Sequence, residues 1–213
     1  MKRVRWLVWS ALIVAGIAAY AATQLGASRR TERGDFGKVP AFSLTDQRGG
    51  TVTDADLRGK VWVANFVFTR CPSVCPLLTA KFKALQERIG PLEGVRYVSM
   101  SVDPKHDTPE VLAAYAQKFG ADPERWRFVT GALETIEKTV VKGFKIHIGE
   151  PTPSAHDPSL VEIMHGEHLV LVDATGTIRG YYRAEAPELE ELERDVRALA
   201  DERVAQVVPQ LVQ

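Results

Sequence analysis

The stretch Phe68–Leu78, FTRCPSVCPLL, holds both cysteines of the chain, Cys71 and Cys75, four positions apart and each followed by a proline. Folded into one turn, residues at this spacing bring their Cα atoms within disulfide range, roughly 4.4–6.8 Å. The same closeness lets two sulfurs grip one ion, and thiolates are soft donors that select soft ions such as Cu(I). A structural disulfide, a redox couple and part of a metal site are all open. The disulfide would clip a very short loop and stabilise little, because the entropic effect grows with loop size. Redox or metal chemistry is therefore favoured over a structural clip.

The local pattern favours reactive thiols. Val61–Phe68 (VWVANFVF) is almost wholly apolar or aromatic, with β-branched residues, and suits a strand buried on both faces. Leu78, Phe82, Leu85 and Ile89 then mark one face of a helix that Gly90 ends. Both cysteines thus occupy a strand-to-helix connection, where open α/β sheets place their sites. Pro76 suits a first helical turn, which puts Cys75 at or near the N-cap. The positive helix end there predicts a lowered thiol pKa for Cys75.

A further ligand would come from the five histidines, His106, His147, His156, His165 and His168. His165 stands out because it opens a predicted strand, His165–Val172, after the long connection Gly149–Met164. Loops of that length without clear secondary structure are often functional. Strand alternation puts His168 on the opposite face from His165. His147 lies in an apparent strand, KIHIG; His106 lies in a turn before a helix; His156 lies within the long connection.

These residues need a scaffold, and the rest of the chain predicts one. Phe42–Thr45 and Thr51–Thr53 flank the turn-rich DQRGG and read as a hairpin. Val95–Val102 is the next strand. In DTPEVLAAYAQKFG, Asp107 or Thr108 caps a helix, Pro109 opens it and Gly120 stops it. Trp126–Val129 reads as a strand and Leu133–Val141 as a helix. His165–Val172 and Thr177–Tyr182 form a second hairpin around DATG, and Leu189, Leu192, Val196 and Leu199 define a last amphipathic helix. Alternating strands and helices imply an α/β layer with an antiparallel hairpin on the sheet edge.

The 213 residues carry 27 Lys+Arg against 27 Asp+Glu, a balance without the basic excess a nucleic-acid surface needs. Two cysteines exclude both a disulfide-rich scaffold and a four-thiolate zinc site. Trp6–Leu25 runs twenty residues without a charge, behind Lys2, Arg3 and Arg5. At ~1.5 Å per residue it is long enough to cross a bilayer, which is favoured over a cleaved signal peptide. The expected organisation is a cytoplasmic tail over 1–5, a transmembrane anchor over 6–25 and a linker over 26–38. One folded domain follows over 39–203, with a tail over 204–213. The domain would then lie outside the cytoplasm, in the periplasm or an equivalent oxidising space.

Three motifs, FTRCPSVCP, SVDPKHDTPEVL and HGEHLVLVDATGTIRGYY, occur in this order and at separations that resemble the SCO/SenC family, membrane-tethered copper-binding proteins. The resemblance covers nearly all of Val39–Leu199. It implies a thioredoxin-like α/β fold, with a mixed central sheet, an N-terminal hairpin and flanking helices. It also implies that Cys71, Cys75 and the histidine opening the late hairpin bind one copper ion, as Cu(I) and also Cu(II). Counted back from Gly176, that histidine is His165 rather than His168. Several family members carry an aspartate just before it, where this chain has Met164. Asp103 matches the family pattern; it either lies near the site or only caps a turn with Pro104.

Two functions follow from the resemblance. The first is a metallochaperone that delivers copper to the CuA centre of cytochrome c oxidase, or prepares that centre. Its partners would be the CuA-bearing subunit or another copper chaperone. The second is a thiol-disulfide oxidoreductase working through Cys71 and Cys75. The second is disfavoured by the spacing, since thioredoxin-like reductases use Cys-X-X-Cys. It is also disfavoured because no proline occurs between Pro158 and Pro187 to face the cysteines. A peroxidase, needing one low-pKa cysteine with a resolving partner, is the least favoured.

Overall fold

The computed structural model describes Gly16 and residues 34–72, 74–150, 152–153, 161–163 and 166–211. Trp6–Leu25 lies outside these apart from Gly16, and among the described residues no helix is long and apolar enough to cross a membrane.

Seven strands form the main sheet: β1 (Ser43–Asp46), β2 (Thr51–Thr53), β3 (Val61–Val67), β4 (Val95–Ser101), β5 (Trp126–Thr130), β8 (His168–Val172) and β9 (Ile178–Arg183). Their order is β2-β1-β5-β4-β3-β8-β9. The centre β5-β4-β3 is parallel, while both outer hairpins run antiparallel to it. This is the mixed sheet expected, with the late hairpin on one edge and the early hairpin on the other. Every residue of β3 is buried, as its apolar run predicts. On its one polar residue, Asn65, Oδ1 accepts from Ser99 Oγ (2.5 Å), which accepts from Trp126 Nε1 (2.8 Å), while Asn65 Nδ2 has no hydrogen-bond partner among the described residues.

Helices cover both faces. The helices are α1 (Asp54–Leu57), α2 (Val74–Ile89), α3 (Pro109–Lys118), α4 (Leu133–Ile136) and α5 (Ala186–Leu211). Phe82 and Leu85 of α2, Leu112 of α3 and Leu192 and Val196 of α5 pack with Val61 and Val63. On the other face Trp62, Ala64 and Phe66 meet Ile136, Val140 and Phe144. Alternate residues of β3 feed the two layers, as period-two geometry requires.

The fold departs from the sequence-based expectations in several places. Leu133–Val141 is not one α-helix: α4 passes into a π-helix over Glu137–Gly143, which turns Val140 and Phe144 onto the sheet. The connection 149–164 is not without secondary structure, because β6 (Thr152–Pro153) and β7 (Val161–Glu162) pair within it. The apparent strand at KIHIG reduces to a single bridge at Ile148. The last helix runs on through Pro209 to Leu211, so most of the presumed tail is helical. The end of the presumed linker is part of the sheet edge. Phe36 N–H donates to the Ile178 carbonyl (3.1 Å) and Ile178 N–H to the Gly37 carbonyl (2.9 Å). An edge strand offers open backbone groups, and residues 36–39 occupy them.

Candidate functional site

The cysteine turn is built at the carboxyl end of β3. Cys71 N–H donates to the Phe68 carbonyl at 3.3 Å, which closes a turn directly after the strand. Helix α2 starts at Val74, so Cys75 is its second residue, inside the first turn and near the N-cap position as expected. Cys75 N–H donates to Cys71 Sγ at 3.3 Å. A backbone donor of the first turn, which has no partner within the helix, is thereby satisfied by sulfur. Both cysteines are thiols, Cys75 fully buried and Cys71 at 7% exposure.

The lowered pKa expected for Cys75 is not found. Its hydrogen bond with Cys71 holds the thiol well above the ordinary range, burial adds to this, and the Phe68 backbone opposes it only in part. The sequence pattern located the helix end but neither the hydrogen bond between the cysteines nor the burial, both of which disfavour the thiolate.

The loop after β4 reaches under this turn. Arg70, next to Cys71, donates to Asp103 Oδ2 from Nη2 (2.6 Å) and Nε (2.9 Å). Asp103 therefore does more than cap a turn with Pro104: its carboxylate ties down the cysteine turn. Asp107 is fully buried, and it is not the helix cap; Thr108 is. Its carboxylate accepts from Thr69 Oγ1 and Ser101 Oγ, both at 2.6 Å, and from Thr69 N–H at 3.3 Å. Burial pushes the Asp107 carboxyl up, against the pull of the Ser101 and Thr69 hydrogen bonds. Sequence reasoning missed this role because Asp-Thr-Pro reads equally well as a cap.

Of the five histidines, His165 and His156 lie outside the described residues, as does Met164. His106 and His147 are exposed. Strand β8 starts at His168, not His165, so the alternation argument separating these two does not apply to the described strand. The His168 ring stands edge-on to Tyr181, with centroids 6.5 Å apart. His168 lines a depression of about 360 Å³ with Phe36, Lys145, Ile146 and Tyr181. Just before it, Gly166 passes so close to Ile146 that a Cβ would stand 3.2 Å from its Cγ2. Among the described residues no three His, Cys, Asp or Glu side chains gather as a metal cluster.

Strand direction relates the two halves. β8 runs antiparallel to β3, with Trp62↔Val172, Val63↔Leu171 and Ala64↔Val170 in register. The start of β8 therefore lies at the end of the sheet where β3 enters the cysteine turn.

Comparison with known proteins agrees with this architecture. The SCO1/SenC family model matches residues 30–201. The SCO1 protein homolog of Bacillus subtilis is 30% identical over 164 residues, which span 76% of this chain and 82% of that protein. Bradyrhizobium japonicum ScoI, solved with copper bound, superposes with a TM-score of 0.66 at 27% identity, over 76% of this chain and 99% of that one. BsSco, a member of the Sco family of cytochrome c oxidase assembly proteins in which a disulfide switch was identified, superposes with a TM-score of 0.68 at 28% identity, over 79% and 97% of the two chains. The fold is thus the thioredoxin-like α/β arrangement of these proteins, and the chain belongs to the SCO1/SenC family.

Proposed function

We propose that this chain binds copper through Cys71, Cys75 and His165, and that it delivers the ion to the CuA centre of cytochrome c oxidase or prepares that centre to receive it. The observation that carries this reading is the cysteine turn itself. Two thiols share one strand-to-helix turn, one sulfur accepting the amide of the other residue at 3.3 Å, at the sheet end where β8 begins. Two soft sulfurs and one imidazole suit Cu(I). The copper-bound ScoI and the assembly role of the Sco family support the same reading. Copper is here a cargo: the chain supplies donors, and the ion passes on.

In this reading Trp6–Leu25 anchors the chain in the inner membrane and the folded domain faces the extracytoplasmic space. The recipient is the CuA-bearing subunit or another copper chaperone.

Anaerobic Cu(I) titration of the reduced full chain in detergent, against a chromophoric chelator, tests the assignment. One equivalent is expected to bind. Cys71→Ser, Cys75→Ser and His165→Ala should each weaken binding by roughly a hundredfold or more, since loss of even an outer partner of a metal ligand weakens binding 10–100-fold. X-ray absorption should count two sulfurs and one nitrogen. Normal binding by the single-cysteine variants would refute the site. Dithiol turnover that survives His165→Ala would instead favour the oxidoreductase.

A further inference from the structure

Asp107 has no solvent exposure, and none of its carboxylate hydrogen bonds goes to the helix that follows it. Thr108 caps that helix, through the Val111 N–H. The Asp107 carboxylate instead joins two chain segments. Ser101 Oγ donates to it from the end of β4, and the same Ser101 oxygen accepts the Asp103 N–H at 3.0 Å. Thr69 gives it both its hydroxyl, at 2.6 Å, and its amide, at 3.3 Å to each carboxylate oxygen. Thr69 is two residues before Cys71, whose own amide bonds back to Phe68 and whose sulfur receives the Cys75 amide. A rigid strand thus fixes a buried carboxylate, and the carboxylate fixes the entrance to the cysteine turn. Hydrogen bonds to a charged acceptor are the stronger kind.

We propose that Asp107 is a positioning residue for the dithiol. Through Thr69 it sets where Cys71 stands relative to Cys75, and so how readily the two sulfurs join. This rests on the reading that these two thiols are the working groups of the chain. It does not depend on copper.

The test is the thiol-disulfide equilibrium of the full chain in detergent, without copper, in mixtures of reduced and oxidised glutathione. Closure forms one S–S bond between Cys71 and Cys75. Their two thiols give up two electrons and two protons, and one glutathione disulfide is reduced to two glutathione thiols. Thr69→Val keeps the shape of the side chain and removes its hydroxyl, whereas Thr69→Ser keeps the hydroxyl. Thr69→Val is expected to shift the equilibrium constant about tenfold, equivalent to about 30 mV for this two-electron couple. Thr69→Ser should stay near the wild-type value. The constant compares two folded forms, so a loss of stability common to both does not move it. Asp107→Asn should follow Thr69→Val; if it fails to fold, the threonine pair decides. A shift of less than about threefold in Thr69→Val, or an equal shift in Thr69→Ser, overturns the proposal. Cu(I) affinity is measured separately, so failure of the copper reading leaves this result standing, and the reverse.

Discussion

Arg70 clasps Asp103 through two nitrogens, at 2.6 and 2.9 Å, with the carboxylate nearly buried and the guanidinium about one-third exposed. The two ends of this pair are unequal in what their loss leaves behind. Arg70→Ala leaves a buried carboxylate without its countercharge, which should destabilise the fold by about 1–3 kcal/mol, tempered by water reaching the exposed side. Asp103→Asn keeps an acceptor for Arg70 and should cost about 1 kcal/mol or less. The double variant should be more stable than the two losses summed. Urea unfolding of the three variants checks this; equal losses at the two positions would mean the pair behaves as a surface contact.

His168 tests the choice between the two late histidines. It opens β8 opposite Arg183, with its ring against Tyr181. His168→Ala should leave Cu(I) affinity within about twofold of the parent and lower stability by about 0.5–1 kcal/mol through loss of the ring contact. Chelator competition decides: a collapse of Cu(I) binding would make His168 the ligand and displace His165.

The turn between β8 and β9 predicts an acid limb in stability. Burial raises the Asp173 carboxyl, but Thr175 Oγ1, the Thr177 and Thr175 amides and Arg179 outweigh it, so the folded value lies below 3.8. A group depressed in this way stabilises the fold above the unfolded value and loses that contribution as pH falls through the folded one. Between about pH 4 and lower values the wild type should therefore lose stability faster than Asp173→Asn. At neutral pH the variant should be less stable by about 1–2 kcal/mol. Denaturant midpoints across the acid range would show it; parallel curves would argue against it.

Phe144 should be costly to truncate. It is fully buried, and Trp62 and Phe66 meet it edge-on at 5.8 and 5.5 Å. Its amide closes the last π turn on the Thr139 carbonyl at 2.9 Å. Phe144→Ala should lose about 3–5 kcal/mol in thermal or urea unfolding. A loss below about 1 kcal/mol would show that the layer collapses around the gap.

Much of this scaffold is legible in the sequence, because local pattern and tertiary demand coincide there. The β3 run has no polar face to turn outward, so it must be central. Leu78, Phe82, Leu85 and Ile89 share one helical stripe, and all four are buried. The misses arise where distance decides. Asp107 could cap its own helix or reach 38 residues back to Thr69, and only the pairing of β3 with β4 selects the second. The π turn differs from an α turn by one residue of hydrogen-bond spacing, which leaves the apolar pattern almost unchanged. Strands β6 and β7 have two residues each, too short for alternation to show. Cys71 and Cys75 were legible as a pair; the depth at which they sit was not.

The ladder between β3 and β8 is paired from Trp62 to Ala64, while β3 itself runs on to Val67. Among the described pairings the two strands form a fork: joined at the stem, with separate tines leading to the cysteines on one side and to Gly166 on the other. Each tine is braced by its other neighbour, β3 by β4 as far as Val67↔Ser101 and β8 by β9 from His168↔Arg183, so two separate ladders fix the gap between them.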